Sequence, residues 1–424
     1  MNGGDRDAAE QTDPRNEASA RSPRPWAAFS HPDYRLLWGV HLSAVIAQQM
    51  RILAVAQWLL EDTGSAAQLG LIGVVQLVVQ IPALVYGGTL ADHMDRKRLM
   101  AMANGVTVAT FALLAVLAGS GALHPWQVYL AIAVTAATFV MHSPARAALV
   151  PSVVPERHIM VAVTTDTATQ NVGAVLGPLL FAIAAETRGL PTAFALTAVM
   201  ALPAVILPFL VSARGRAEAG STAGMLRRAI EGFRFVLRHP ILPGLFLLDT
   251  GITVASFYRE ILPLLARGLF RGGAGATGVL GAANSAGAIV GSFVALLFAG
   301  VRAKGMFVLY ATLAYALILV GFGSVTSLWL GAIMIAGLGG ADAVTVAVRQ
   351  ATVQLTTPDH MRGRAFAFMI LSAQTANNVG TIWVGLWAAA IGAQQTMLLG
   401  AAISILATLL IWRLWRPIRE YRYP

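Results

Sequence analysis

The chain has 424 residues, of which 57% are apolar and only 12% are charged, and its mean hydropathy is +0.67. Soluble domains carry roughly 25% charged residues, so this composition excludes a water-soluble globular protein and favours an outer surface that faces lipid. The formal net charge of +10 does not indicate nucleic-acid binding, because the charges form short clusters between apolar runs. Cysteine is absent, which excludes disulfides and thiolate metal sites.

The first 33 residues form a polar segment that is rich in Ala, Asp, Arg and Pro. The segment lacks the apolar core that a signal peptide requires. We therefore predict that residues 1–33 form a disordered cytoplasmic tail.

Apolar stretches long enough to cross a bilayer then follow one another along the chain. A transmembrane helix needs about 20 residues, at a rise of about 1.5 Å per residue. The predicted spans are 36–59, 69–91, 99–120, 126–147, 161–184, 191–211, 241–265, 276–299, 305–323, 326–348, 365–388 and 393–414. The pattern predicts an all-α membrane protein with twelve transmembrane helices.

The placement of basic residues predicts the orientation of the chain. If the N-terminus is cytoplasmic and each span crosses once, most of the 30 Lys and Arg residues lie in cytoplasmic segments. The exceptions are Arg51 within a span and, at or near the outer side, Arg188, Arg259, Arg267 and Arg271. This is the positive-inside bias of membrane proteins. It predicts a multi-pass protein of the cell membrane with both termini in the cytoplasm.

A polar break at 212–240 divides the spans into two groups of six. We predict an N-terminal bundle over 34–211, a C-terminal bundle over 241–414 and a second cytoplasmic tail over 415–424. Within the break, Thr222–His239 has apolar residues at helical spacing with basic residues between them. This segment is predicted to be an amphipathic helix, either on the inner membrane surface or as a solvated linker.

The two groups of spans share an internal repeat. The residues around Arg146 and Asn171 in the first half recur in the same order around Arg349 and Asn378 in the second half. Such duplication indicates two pseudo-symmetric six-helix bundles and resembles the plan of major facilitator carriers.

The segment between the second and third spans carries the most specific motif. Gly88 is followed by Leu-Ala-Asp, which ends at Asp92, and then by a basic cluster that contains Arg96 and Lys97. The motif resembles the signature of the major facilitator superfamily, with Asp95 at a position where the family usually has Gly. The resemblance implies an inner gate in which Asp92 faces a neighbouring helix end. Alternatively, the basic residues serve only to fix the topology.

The fifth span carries a second motif, in which Gly173 and Gly177 are followed directly by Pro178. It resembles the core of a signature found in exporters of the superfamily, although the further glycines of that signature are replaced by Leu and Phe. Small residues permit close helix packing and Pro permits a bend. Plain helix packing without an exporter role is the alternative.

The start of the second half shows a third resemblance. Glu231-Gly232-Phe233-Arg234-Phe235, then Pro240, Leu262-Pro263-Leu264 and the glycine-rich run 278–291, are similar to the branch of enterobactin exporters and multidrug efflux carriers. Together with the Gly88 motif, the similarity extends from about residue 30 to 415. It implies a carrier of small molecules, and the branch includes siderophore and drug exporters.

Polar residues within the spans are candidates for a substrate or proton cavity, because they are costly in lipid. His41, Gln48 and Arg51 share one face of the first span, and Asp249 lies near the middle of the seventh. We expect Arg51 and Asp249 to face each other across one cavity, with Asp249 as the proton site. Structural hydrogen bonds within the bundle are the alternative for each of them.

Two further acidic residues lie nearer the cytoplasmic ends of their spans. We expect Asp166 to pair with Arg146, and Asp342 to pair with Arg349.

These features together predict a secondary transporter that exports small molecules from the cytoplasm by alternating access, with protons as the coupling ion. The sequence contains no Walker loop, HExxH pair or GxSxG elbow, so neither an ATP-driven pump nor an enzyme is expected. We expect a monomer without cofactor, metal or nucleic acid. The alternatives are an importer, a lipid or lysolipid flippase, and a membrane sensor or scaffold that does not transport.

Overall fold

The computed structural model of the chain describes residues 26–212, 223–298 and 300–422, and its regular elements in these ranges are all helical. The first half contains six long helices. These are α1 (Pro32–Thr63), α2 (Ala66–His93), α3 (Arg96–Gly119), α4 (Pro125–Val153), α5 (Ile159–Arg188) and α6 (Leu190–Leu210). Short 3₁₀ turns at Ala27–Ser30 and Glu156–His158 precede α1 and α5.

The second half begins with the linker helix α7 (Ala223–Arg238). It continues with α8 (Leu242–Ser256), α9 (Leu262–Phe270), α10 (Ala274–Leu297), α11 (Lys304–Ser324), α12 (Leu328–Thr356), α13 (Asp359–Ile391), α14 (Ala393–Leu414) and the short α15 (Arg416–Glu420). The predicted linker helix at Thr222–His239 therefore coincides with α7. It lies on α13, where Arg364 pairs with Glu231 at 2.5 Å.

Eleven of the predicted spans coincide with a single helix each, but the prediction of a continuous seventh span is wrong. That span is two helices, α8 and α9, separated by a non-helical break over 257–261. Pro263 lies in the first turn of α9, where its missing backbone N–H costs no helical hydrogen bond. Within a continuous helix a proline removes one such bond, which favours a break before Pro263, although α5 continues through Pro178.

Eight helices of the described chain are long and apolar enough to cross a membrane. The number is nine if Ile230–Arg238 and Leu242–Ser256, which bend by 106° at their junction, count as one span. Shorter apolar stretches occur at Ala66–Gln80 in α2 and Pro125–Phe139 in α4. The all-α membrane fold is therefore confirmed, and the count of twelve crossings stays a prediction.

The helices pack mainly within their own half of the chain. In the first half α3 and α1 pack against α6, and in the second half α10 packs against α12 and α11 against α14. The largest contacts between the halves are those of α2 with α13 and of α5 with α10, and α1 makes smaller contacts with α9 and α10. A continuous apolar core crosses this junction and includes Leu53, Ile72, Phe181, Leu280 and Val384.

Among the described residues, glycines bring the two halves close together at the end of the bundle opposite both termini. We call this the distal end, where α1 turns into α2 at Gly64 and α13 turns into α14 at Gly392. A Cβ on Gly70 of α2 would lie 3.4 Å from the Cα of Gly385 of α13. A Cβ on Gly281 of α10 would lie 3.1 Å from Pro178 of α5. Glycines thus let the two halves close tightly at the distal end.

Candidate functional site

A cavity of about 360 Å³ lies among the helices of the first half. His41, Gln48 and Arg51 of α1 all line it, as their spacing predicts. The other polar residues in its wall come from α3, α4 and α5, and are Asn104, Thr107, Thr135, Thr138, Arg146, Asp166, Thr167 and Gln170. This arrangement gives a polar chamber inside an apolar bundle.

One side of this chamber is held by an ion pair between α4 and α5. Arg146 Nη1 lies 2.7 Å from Asp166 Oδ2, so the predicted pairing of these residues is confirmed. The Nε2 atom of His41 lies 3.2 Å from the backbone oxygen of Asp166, which links α1 to the same site. The pair neutralises two charges that would be costly within the bundle.

Arg51 differs from Arg146 in its surroundings. Among the residues that the structure describes, none accepts a hydrogen bond or makes an ion pair with its guanidinium. Its side chain lines both the first-half cavity and a smaller cavity of about 110 Å³ at the junction of the halves. A cation in that position can serve a ligand that carries an anionic or hydrogen-bond-accepting group.

A separate cavity of about 140 Å³ lies in the second half, lined by Asp249, Asp342 and Arg349 among others. Arg349 pairs with Asp249 of α8, so the prediction that Arg349 pairs with Asp342 is wrong. Asp342 and Arg349 both belong to α12 and are seven residues apart, which corresponds to about 10 Å along the helix. Asp249, on the neighbouring helix α8, lies closer to the Arg349 guanidinium than this spacing allows for Asp342.

The expectation that Arg51 and Asp249 face each other across one cavity is also wrong. Arg51 lines the first-half and junction cavities, whereas Asp249 lines the second-half cavity. Arg51 follows the start of α1 by 19 residues (51 − 32) and Asp249 follows the start of α8 by 7 (249 − 242). At about 1.5 Å per residue, Arg51 lies roughly 29 Å along α1 and Asp249 roughly 10 Å along α8.

The break between α8 and α9 brings two charged residues, Arg259 and Glu260, into the junction of the halves. Arg259 was expected at the outer side, but it lines three cavities inside the bundle. Glu260, which is not among the predicted site residues, is 8% exposed and accepts a hydrogen bond from Thr381 at 3.3 Å. A signal was present in the sequence, because this charged pair precedes Pro263 within an apolar run.

The junction cavity is also rich in amides. Gln48, Gln76, Gln80, Gln374, Asn377 and Asn378 line it together with Arg51, Arg259 and Glu260. Asn378 Nδ2 donates to Gln80 Oε1 at 2.8 Å, which ties α13 to α2. Amides both donate and accept, so this lining can hydrogen-bond a variety of ligand groups.

The gate motif is described only in part. The backbone of α2 extends through Gly88 and Asp92, but the side chain of Asp92 lies outside the described residues.

Asp95 caps the start of α3 by accepting hydrogen bonds from the backbone N–H groups of Lys97 and Arg98, at 2.9 and 3.2 Å. This N-cap gives a physical reason for the Asp that departs from the family motif. The Lys97 side chain donates to the backbone oxygen of Val211 at 2.8 Å, and Arg96 begins α3.

The glycine motif of the fifth span lies where α5 crosses two other helices. Gly173 faces Val45 of α1, and a Cβ on Gly177 would lie 3.0 Å from the backbone oxygen of Ile46. Pro178 lies inside α5, which continues as one helix, and contacts α10 of the other half. The motif therefore packs α5 against both halves.

Comparison with known proteins agrees with this architecture. Residues 23–421 match the family model described as transmembrane secretion effector. The chain is 26% identical over 407 residues to the enterobactin exporter EntS of Citrobacter koseri, covering 93% of this chain and 94% of that protein. It is 27% identical over 390 residues to EntS of Escherichia coli O81, covering 90% of each.

Solved structures show the same fold. The nucleoside transporter NupG superposes with a TM-score of 0.74 at 11% identity, covering 91% of this chain and 99% of that one. A bacterial homologue of the human lysosomal transporter Spinster, in an inward-facing and unoccupied conformation, superposes with a TM-score of 0.68 at 14% identity, covering 93% and 99%. The chain therefore belongs to the transmembrane secretion effector family of major facilitator transporters, and it is a membrane transporter and not an enzyme.

Proposed function

We propose that this transporter exports drug- or siderophore-like small molecules from the cytoplasm, in exchange for protons. The observation that carries the proposal is the similarity to enterobactin exporters, which covers nine-tenths or more of both chains. The glycine and proline motif at Gly173, Gly177 and Pro178, which resembles that of exporters, supports the same direction of transport.

Alternating access fits the way the two halves meet. The described contacts between them tighten at the distal end, where Thr277 of α10 donates to Gln57 of α1 at 2.9 Å. With both termini in the cytoplasm, as the basic residues favour, the distal end is the outer end. The cavities are then closed toward the outside, and a substrate would enter from the cytoplasm.

The substrate would bind in the first-half and junction cavities. Arg51 supplies a cation, and His41 and Gln48 supply hydrogen-bonding groups on the same wall. Mostly apolar molecules with an anionic or hydrogen-bonding group suit such a chamber. We expect Arg51→Ala to weaken transport of such substrates.

Proton coupling would use the ion pair of the second half. Asp249 and Arg349 lie together in a cavity, so protonation of Asp249 would release Arg349 and change the contact between α8 and α12. Asp249→Asn should therefore abolish proton-driven transport while substrate binding is retained.

We also propose that Asp92 closes the inner gate in the opposite conformation, near the start of α13 at Arg364 to Phe366. The halves are related by pseudo-symmetry, and the gate motif ends α2 on the side of the termini. Asp92→Asn should lower the transport rate and substrate accumulation, and an unchanged rate would contradict the gate role.

The main experiment is transport in inverted membrane vesicles. A pH gradient should drive uptake of a fluorescent drug or siderophore analogue, and a protonophore should abolish it. Uptake that is insensitive to the protonophore but depends on a sodium gradient would identify sodium as the coupling ion. Uptake only into right-side-out vesicles would indicate an importer. Lipid scrambling without solute uptake would indicate a flippase. The absence of movement of any probe would indicate a sensor or scaffold.

The topology has its own test, because the chain has no native cysteine. A cysteine introduced at Thr89 or in the N-terminal tail should resist an impermeant thiol reagent in intact cells. Labelling of the tail in intact cells would contradict cytoplasmic termini.

A further inference from the structure

Arg259 connects the two halves at the break in the seventh span. Its Nη2 atom donates to Gln49 Oε1 of α1, at a distance of 2.8 Å. The bond joins residues 210 positions apart in the sequence, one from each half. A charged side chain of the second half is therefore held by a neutral amide of the first half.

The neighbours of Arg259 are held by other helices. Tyr258 donates through its hydroxyl to Asn284 Oδ1 of α10 at 2.7 Å, and Glu260 accepts from Thr381 of α13. Because 257–261 is not helical, these consecutive side chains reach different helices of the second half. The break thus fixes the backbone of Arg259 within its own half, while its guanidinium reaches across to the other half.

Asp342 of α12 is the acid that best suits Arg259 within the second half. Both residues line the second-half cavity and a further cavity of about 270 Å³ at the junction. In the described part of the chain, the Asp342 carboxylate has no hydrogen bond and no ion pair within 4.0 Å. Asp249 shares the second-half cavity, but it is paired with Arg349. Glu260 lines the 110 Å³ junction cavity with Arg259, but it accepts the hydrogen bond from Thr381 and lines neither cavity that Arg259 shares with Asp342.

We infer that Arg259 is a positioning residue for transport that exchanges partners. It bonds Gln49 while the distal end is closed, and it bonds Asp342 when the halves separate there. The inference rests on the alternating access proposed above. Separation must break the bond to Gln49, and a guanidinium in the membrane interior then requires another acceptor. Asp342 belongs to the same half as Arg259 and stays near it, and its charge makes it the stronger acceptor.

The inference predicts opposite effects for two variants. A cysteine at Ala66, which is 6% exposed at the α2–α13 contact, reports opening of the distal end. Its rate of reaction with N-ethylmaleimide is measured on purified protein in nanodiscs without substrate. Gln49→Ala removes the partner of the closed state and should raise the rate on the order of tenfold. Asp342→Asn weakens the partner of the open state and should lower the rate by a similar factor.

Two controls separate this role from general loosening of the fold. Ser285→Ala changes a residue that lines the cavity of about 270 Å³ with Arg259 and Asp342 but bonds within its own helix, and it should leave the rate unchanged. In an Arg259→Gln background, Asp342→Asn should no longer alter the rate. The inference would be overturned if Gln49→Ala and Asp342→Asn changed the reaction rate in the same direction, or if neither changed it. It would also be overturned if Asp342→Asn still altered the rate in the Arg259→Gln background. Since neither substrate nor a proton gradient is used, failure of the export proposal would not change these outcomes.

Discussion

Two arginines at related positions of the internal repeat are neutralised by acids from unrelated positions. Arg146 of α4 pairs with Asp166 of α5, whereas Arg349 of α12 pairs with Asp249 of α8. All four side chains are at most 18% exposed. A charge in such surroundings is costly without a partner, so each half must supply an acid, but the acid can come from any helix that packs nearby.

The Asp249–Arg349 pair should dominate the local stability of the second half. Asp249→Asn leaves Arg349 without an anion, and we expect the free energy of unfolding to fall by about 2–4 kcal/mol. The double variant Asp249→Asn/Arg349→Gln should lose less than the sum of the single variants, as measured by denaturant unfolding in detergent. The exposed pair Arg362–Asp359 is the matched control, and Asp359→Asn should cost less than about 1 kcal/mol. Strict additivity would contradict the coupling.

A histidine at the start of α8 should make stability depend on pH. His239 Nδ1 accepts hydrogen bonds from the backbone N–H groups of Ile241 and Leu242, at 3.2 and 3.3 Å. Burial lowers the pKa of the His239 imidazole below its ordinary value. The folded state thus favours the neutral ring, so this contribution is present above the pKa of the unfolded chain, about 6.5, and is lost as the pH falls through the lower folded pKa.

The measurement compares melting temperatures at pH 7.5 and 5.5 for the wild type and His239→Asn. Asn keeps an acceptor oxygen but does not titrate, so the variant should lose less stability on acidification than the wild type. Equal losses would show that groups other than His239 account for the pH dependence.

At the scale of elements, glycines decide how closely helices approach. In the second half, Gly287 of α10 faces the backbone of Ala336 of α12, and Gly339 of α12 faces the backbone of Asn284. A side chain at either glycine would overlap backbone atoms, which cannot move aside without separating the helices. These contacts place Asp342 and Asn284 on the walls of shared cavities.

Gly287→Ala should therefore lower the free energy of unfolding by about 1–3 kcal/mol. Gly251→Ala in α8 is the matched control, because no atom outside its own helix lies within 4 Å of the added Cβ. That variant should be neutral or more stable by up to about 1 kcal/mol, since Ala favours helix over Gly. Thermal unfolding measures both variants, and an equal change in their melting temperatures would show that close packing at Gly287 does not contribute to stability.

At the scale of the whole molecule, the two halves meet through small residues and, among the described residues, a set of polar bonds that includes two at the distal end. Thr277 bonds Gln57, and the backbone N–H of Gly275 donates to Glu186 at 2.9 Å, both at the distal end. A junction held by small residues can close tightly and still separate, provided that the polar groups that bond across it find other partners on opening.

Cross-linking the distal end should stop transport. In Gln57→Cys/Thr277→Cys the new thiols replace side chains that already bond across the halves, and the chain has no other cysteine. Oxidation or a short bifunctional maleimide should abolish substrate movement, and reduction of the oxidised protein should restore it. Each single-cysteine variant, treated in the same way, should keep its transport. Full transport in the cross-linked protein would exclude opening at this end.

The sequence by itself determined the class of protein, the positions of eleven long helices and the family, because lipid requires long apolar helices and the Gly88 motif is specific. It also placed His41, Gln48 and Arg51 on one face, since helical spacing is local. Only the tertiary structure decided which acid neutralises Arg349, where the seventh span breaks, and that Arg259 reaches Gln49. Those outcomes depend on which helices become neighbours and at what depth, and spacing along one helix does not contain that information.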